Sequence, residues 1–206
     1  MHNVGIFLFN DIELLDFAGP YEVFSVTSEL NDDRLFKVFA ISEDGAAIKA
    51  ANGLTVVPDF SFSDQPPVDI LVIPGGVGTK AIMNKTEVLG WIKRTYESAK
   101  ITMSVCSGAR ILGRLGILDG LETVTHHEVI EHLREIAPLA MINADQRFID
   151  TGKVMTSGGI SAGIDLSLHI VKKLYGEAIA KKTMQYMEYG DWREQRLKIR
   201  QQAPGQ

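Results

Sequence analysis

Two stretches of this chain, Val4–Phe9 and Ile70–Ile73, contain no polar side chain, and both have the length of a strand. A strand that is apolar at every position, rather than at every second one, is covered on both faces. That arrangement belongs to parallel sheets flanked by helices. Phe36–Ile41 and Ile101–Val105 read as further strands, with short ones near Glu122–Thr125, Arg147–Ile149 and Val154–Thr156. The Asp150-Thr151-Gly152 turn joins the last two. The turn dipeptides Asp44-Gly45 and Asn52-Gly53 predict a small β-hairpin excursion ending in Leu54–Val57.

Helical patterns lie between these strands. Val23, Phe24 and Leu30 continue a face that begins near Pro20, a residue suited to a first helical turn. Glu87–Ala99 places Val88, Leu89, Ile92 and Tyr96 on one side, and a helix carrying Ile111, Leu112 and Leu115 starts directly after Cys106. Helices follow near Val129–Glu135, Ser161–Tyr175 and Glu177–Tyr189. Strands interleaved with helices predict an α/β fold: a single domain over residues 1–192, with a mostly parallel, flavodoxin-like sheet sandwiched by helices. Residues 193–206, with Arg193, Arg196, Lys198 and Arg200, read as a polar, solvated tail.

Composition excludes several classes of function. With 21 Lys+Arg against 26 Asp+Glu among 206 residues, the net charge of −5 argues against a nucleic-acid surface. The longest apolar run falls far short of the roughly 20 residues of a membrane span. The N-terminus has no basic leader and runs into Asp11, Glu13 and Asp16, so a cytoplasmic protein is expected. One cysteine rules out an intrachain disulfide and a multi-cysteine metal site.

That cysteine occupies a telling position. In Ser104-Val105-Cys106-Ser107-Gly108 a buried strand ends at Cys106 and a helix begins at the next residue, the strand–turn–helix of a nucleophile elbow. A helix N-terminus favours the thiolate and predicts a lowered thiol pKa. The alternative is that Cys106 is a small buried hydrophobe. Pro74-Gly75-Gly76-Val77-Gly78 leaves the carboxyl end of another buried strand, where glycine amides can line an oxyanion position. It lacks the dinucleotide and P-loop patterns.

Asp16 stands between Leu15 and Phe17, an apolar setting for a charge. Buried there, its carboxyl would have a raised pKa and could move protons near neutrality; otherwise it caps the helix starting near Pro20. His126-His127-Glu128 offers a histidine base for the thiol, a lining for its pocket, or simply a polar helix start. His2, His132 and His169 have no partner pattern and read as surface or packing residues.

Taken jointly, Leu15-Asp16-Phe17-Ala18-Gly19-Pro20, Ile73-Pro74-Gly75-Gly76, Ser104-Val105-Cys106-Ser107-Gly108, Thr125-His126 and Ser157-Gly158-Gly159-Ile160-Ser161-Ala162-Gly163-Ile164-Asp165 resemble the ThiJ/PfpI superfamily of the class I glutamine amidotransferase-like fold. The resemblance is strongest to the isonitrile (isocyanide) hydratases, which carry an aspartate in the segment matching Asp16 where glyoxalase-type relatives carry a glutamate. Ser107 stands where the protease-like branch has a histidine and the hydratases a threonine, and His127 stands where hydratases have an aromatic residue.

The resemblance implies a lyase that hydrates an isonitrile to an N-substituted formamide. Cys106 would be the nucleophile and Asp16 the general acid/base, with Ser107 orienting. Gly75, Gly76, Val77, His126 and Ile160 would line the substrate or oxyanion position. It implies a homodimer acting on a small molecule, with no cofactor, metal, membrane or nucleic acid involved. The same domain opens AraC-type regulators, which need a further helix-turn-helix segment that a chain ending at Gln206 is expected to lack. Glyoxalase- or amidase-like chemistry and a non-enzymatic sensor based on Cys106 are the alternatives.

Overall fold

The structure, a computed structural model, describes residues 1–190. The expected domain boundary after residue 192 and the tail over 193–206 lie outside the described residues. In chain order the elements begin with β1 (His2–Phe7), α1 (Leu14–Glu29), β2 (Phe36–Ser42), β3 (Ile48–Lys49), β4 (Thr55–Val56), β5 (Phe60–Ser61) and β6 (Ile70–Ile73). The middle of the chain forms α2 (Thr79–Ile82), α3 (Thr86–Ser98), β7 (Ile101–Val105), α4 (Ala109–Arg114), β8 (Glu122–Thr123) and α5 (Ile130–Ile136). There follow β9 (Met141–Ile142), β10 (Phe148–Asp150), β11 (Val154–Ser157), α6 (Ala162–Tyr175) and α7 (Glu177–Tyr186).

Seven strands form the main sheet, in the order β10-β11-β7-β6-β1-β2-β5. All neighbours are parallel except β10 and β11, which pair antiparallel across the Asp150–Gly152 turn. The predicted hairpin is present as β3 and β4. Burial explains the sheet's centre: Ile70, Leu71, Val72 and Ile73 are all fully buried, because successive side chains alternate between two helix-covered faces. Each such side chain contributes roughly 1.5–3 kcal/mol relative to exposure.

Two local expectations needed correction. The first helix starts at Leu14, so Pro20 lies inside it, and Asp16 falls in its first turn instead of capping it. Glu13 holds the cap position without a side-chain bond. After β7 the chain makes a 3-10 turn over Cys106–Gly108 before α4 begins, and α4 is only six residues long. No described helix is long and apolar enough to cross a membrane.

The strand order positions the site. From β1 the chain steps outward to β2 on one side, while β6 and β7 lie on the other. The crevice outside the strand ends at such a reversal is where ligands bind in open α/β sheets. The loop entering α1, the glycine loop after β6 and Cys106 after β7 all leave this carboxyl edge.

Candidate active site

Cys106 has φ +55°, a left-handed conformation that costs a non-glycine residue about 1–2 kcal/mol. Neighbouring groups hold the turn in place. The Cys106 N–H donates to the Gly158 carbonyl at 3.0 Å, and the Thr125 hydroxyl donates to the Cys106 carbonyl at 2.8 Å. Gly108 lies so close to the end of β6 that a Cβ there would sit 2.2 Å from the Ile73 carbonyl oxygen. The elbow expected from the sequence is therefore present, and it keeps the thiol 7% exposed at the bottom of a cleft.

Asp16 is fully buried beneath it. Its Oδ2 accepts from the Gly75 N–H at 2.9 Å, and its Oδ1 has no hydrogen bond of ordinary geometry. Burial pushes the carboxyl up to about 7; the Gly75 N–H opposes the rise, the Glu13 charge adds to it, and the neighbouring Cys106 thiol opposes it. The thiol itself is pushed up to about 12, first by burial and then by the negative charge of Asp16, against donation from the Ile160 and Ser107 amides. This corrects the lowered pKa expected of a cysteine at a helix N-terminus. Position in the strand–helix turn favours the thiolate, but burial beside a carboxylate outweighs it. Thiol and carboxyl thus form one buried unit in which two negative charges are strongly disfavoured.

The glycine loop contributes mainly by holding side chains. While the Gly75 amide holds Asp16, the Gly76 N–H donates to Ser107 Oγ at 2.8 Å, and that hydroxyl donates back to the Gly76 carbonyl at 3.2 Å. Gly76 has φ +120°, and a Cβ there would lie 2.4 Å from the Asp11 carbonyl oxygen. Of the two amides expected to meet developing negative charge, that of Gly76 is engaged by the Ser107 side chain, whereas that of Ser107 is directed at the sulfur, together with that of Ile160.

A cleft of about 460 Å³ opens onto Cys106, lined in part by Gly76, Val77, Ser107, His126 and Ile160. Ile160 faces it with φ +41°, a second strained residue, β-branched and 37% exposed. His126 packs its ring over Gly159, where a Cβ would fall 2.5 Å from Cδ2. Its Nδ1 accepts from the Glu128 N–H at 3.3 Å, and burial lowers its pKa, keeping it neutral near pH 7. Among the described residues the Glu128 N–H is this ring's hydrogen-bond partner and no side chain orients it, so it fits the cleft wall better than a Cys–His triad. His127 is exposed, and His169 pairs with Asp150 at 2.7 Å away from the cleft.

Sequence reasoning missed Glu13, Lys80, Arg110 and Val129, which line the cleft along with Glu128. Arg110 was detectable: it stands four residues after Cys106, one helical turn on and on the same side. Among the described residues, no group of three or more His, Cys, Asp or Glu side chains could hold a metal.

An α/β protein with its lone cysteine strained at the carboxyl edge of a parallel sheet, over a buried carboxyl, is defined by this geometry. The chain belongs to the DJ-1/PfpI family, whose model matches residues 2–173. Isonitrile hydratase from Pseudomonas putida is 30% identical over 189 residues, covering 90% of this chain and 78% of that protein. The HTH-type transcriptional regulator GbdR from Pseudomonas aeruginosa is 26% identical over 178 residues, and the match spans 86% of this chain but 48% of the regulator. Among solved structures, a ThiJ/PfpI family protein from Pseudomonas syringae superimposes with a TM-score of 0.82 at 26% identity, covering 91% of this chain and 75% of that one.

Proposed function

We propose that the protein is a cysteine-dependent lyase that hydrates an isonitrile to an N-substituted formamide. The observation that carries this is the placement of Asp16, whose pKa is raised to about 7, directly beneath the Cys106 thiol and fixed there by the Gly75 amide. A carboxyl poised near neutrality can both give and take a proton at an adjacent reacting atom.

In the first half-reaction the thiol proton passes to Asp16, and Sγ bonds to the terminal carbon of R–N≡C. The proton on Asp16 moves to that same carbon, leaving the thioimidate R–N=CH–S–Cys106. In the second half, the Asp16 carboxylate takes a proton from water as the water oxygen bonds to the carbon. Asp16 passes that proton to the imine nitrogen; the hydroxyl on the carbon then gives its proton through Asp16 to sulfur as the C=O bond forms and the C–S bond breaks, so R–NH–CHO leaves with the thiol restored. Summed, one isonitrile and one water give one formamide.

Ser107, held on the Gly76 backbone, orients the water or the carboxyl. The Ser107 and Ile160 amides favour negative charge at the sulfur, so they assist its departure. Gly76 would reach a substrate only by exchanging its bond to Ser107. The similarity to isonitrile hydratase supports this chemistry over other reactions of a buried thiol. The cytoplasmic location and the homodimer implied by the family resemblance belong to the same proposal.

A second reading, a ligand-sensing domain, is favoured by one observation: the chain matches 48% of a transcriptional regulator. The resting thiol, pushed up to about 12, argues against the redox form of such a sensor, which needs an accessible thiolate. Presenting the wild-type protein with an aryl isonitrile, methylglyoxal and a chromogenic peptide separates these readings. Hydration predicts turnover of the isonitrile alone; turnover of methylglyoxal or peptide instead assigns glyoxalase or amidase chemistry, and turnover of none leaves the sensor.

A further inference from the structure

One charge at the cleft has no part in the chemistry above. Arg110, on α4, is 8% exposed and lines the same cleft as Cys106. Its Nη1 donates to Thr79 Oγ1 at 3.4 Å, while its Nε is buried without a partner. Arg110 forms no ion pair among the described residues. A buried guanidinium without a counter-charge is costly to keep, and its planar fork of donors matches a carboxylate through two parallel hydrogen bonds.

The rest of the cleft limits where an anion can sit. Lys80 adds a second positive charge, whereas Glu13 and Glu128 line the cleft with negative ones. Attraction for an anion is therefore local to the Arg110 side, not a property of the whole opening.

We propose that the substrate of this site carries a carboxylate, which Arg110 holds while the electrophilic carbon lies at the Cys106 sulfur. The inference rests on Cys106 being the nucleophile of the proposed hydration, and it names the class of isonitrile preferred: an isocyano-carboxylate over a neutral aryl or alkyl isonitrile, which the same thiol still turns over. Arg110 thereby acts as a specificity residue that touches the substrate.

The lone cysteine allows a test that does not depend on hydration. Cys106 of the folded protein is alkylated at low salt with iodoacetate and with iodoacetamide, and the two rates are read by intact mass. In both reactions an Sγ–carbon bond forms and iodide leaves; the reagents differ in charge. Arg110→Met is expected to lower the iodoacetate-to-iodoacetamide rate ratio by about tenfold, the loss of one charge-assisted contact. Arg110→Lys should retain most of the ratio.

An equal ratio in the wild type and Arg110→Met would overturn the proposal. Arg110→Gln serves as a second neutral variant should the Met variant fold poorly. A purely structural role would shift the thermal midpoint of both neutral variants without moving the ratio. Isonitrile turnover is scored separately. A ratio that falls in a protein hydrating no isonitrile keeps the anion site and rejects hydration, and hydration with an unmoved ratio does the reverse.

Discussion

The Gly75 N–H donates to Asp16 Oδ2 at 2.9 Å across 59 residues of sequence. A loop leaving one strand thus fixes a carboxyl borne on the first helix, under a thiol presented by a third segment. Neither Asp16 nor Cys106 is oriented by its own element alone. The site exists only where β1, β6 and β7 lie side by side.

Gly75 therefore tolerates no side chain. A Cβ at this position would lie 2.6 Å from the Ser107 nitrogen and 2.7 Å from both Asp16 Oδ2 and Ser107 Oγ. Gly75→Ala is expected to displace both side chains and lower kcat for formamide production by about 100-fold or more, the scale of lost acid–base catalysis. Steady-state kinetics together with the thermal midpoint check this.

Asp16→Asn should move thiol reactivity and turnover in opposite directions. The Asp16 charge is the second largest cause, after burial, of the raised Cys106 pKa, so its removal lowers that pKa. Alkylation by iodoacetamide at pH 8 should then quicken by about threefold for each tenfold gain in thiolate, because nucleophilicity falls as basicity falls. Formamide production should nevertheless collapse, since the proton carrier is gone.

Stability against pH follows from the same carboxyl. Its pKa in the folded state, about 7, lies above the ordinary 3.8, so folding favours the neutral form. The stability this confers is complete below about pH 4 and is lost as pH rises through about 7. Asp16→Asn lacks the loss. The stability of the variant relative to wild type should rise by about 4 kcal/mol between pH 4 and pH 8, read by denaturant unfolding at each pH.

The strained elbow predicts an order among inactive variants. With φ +55° at position 106, Cys106→Gly removes the left-handed penalty that Cys106→Ala keeps. The glycine variant should be the more stable of the two by about 1 kcal/mol in equilibrium unfolding.

The parallel core was legible in the sequence because Ile70–Ile73 and Val4–Phe7 are buried on both faces, a condition their residues announce directly. The elbow was legible because Cys106 sits between such a strand and a helical pattern. The start of α1 was not: Pro20 reads as a first-turn residue, and the true start at Leu14 has no side-chain cap to mark it. Two-residue strands such as β5 and β9 are set by the strands they pair with, Ile41–Ser42 and Glu122–Thr123, and carry no pattern of their own.

The direction of the Cys106 shift was hidden for a similar reason. Sequence position reveals the turn and brings Asp16 to the same sheet edge, but not how closely the buried carboxyl approaches the thiol. Likewise the sequence marks Gly75 and Gly76 as permissive without showing that Asp16 and Ser107 take their amides.

Attack of Cys106 on an isonitrile carbon, with Asp16 moving the protons, is tested most directly by the rate of formamide formation from an aryl isonitrile by the wild type, Cys106→Ala and Asp16→Asn, each first shown to be folded. Steady turnover is expected of the wild type, none above background of Cys106→Ala, and a loss of about 100-fold or more in Asp16→Asn. Equal turnover by the wild type and Cys106→Ala would rule out the thiol as nucleophile.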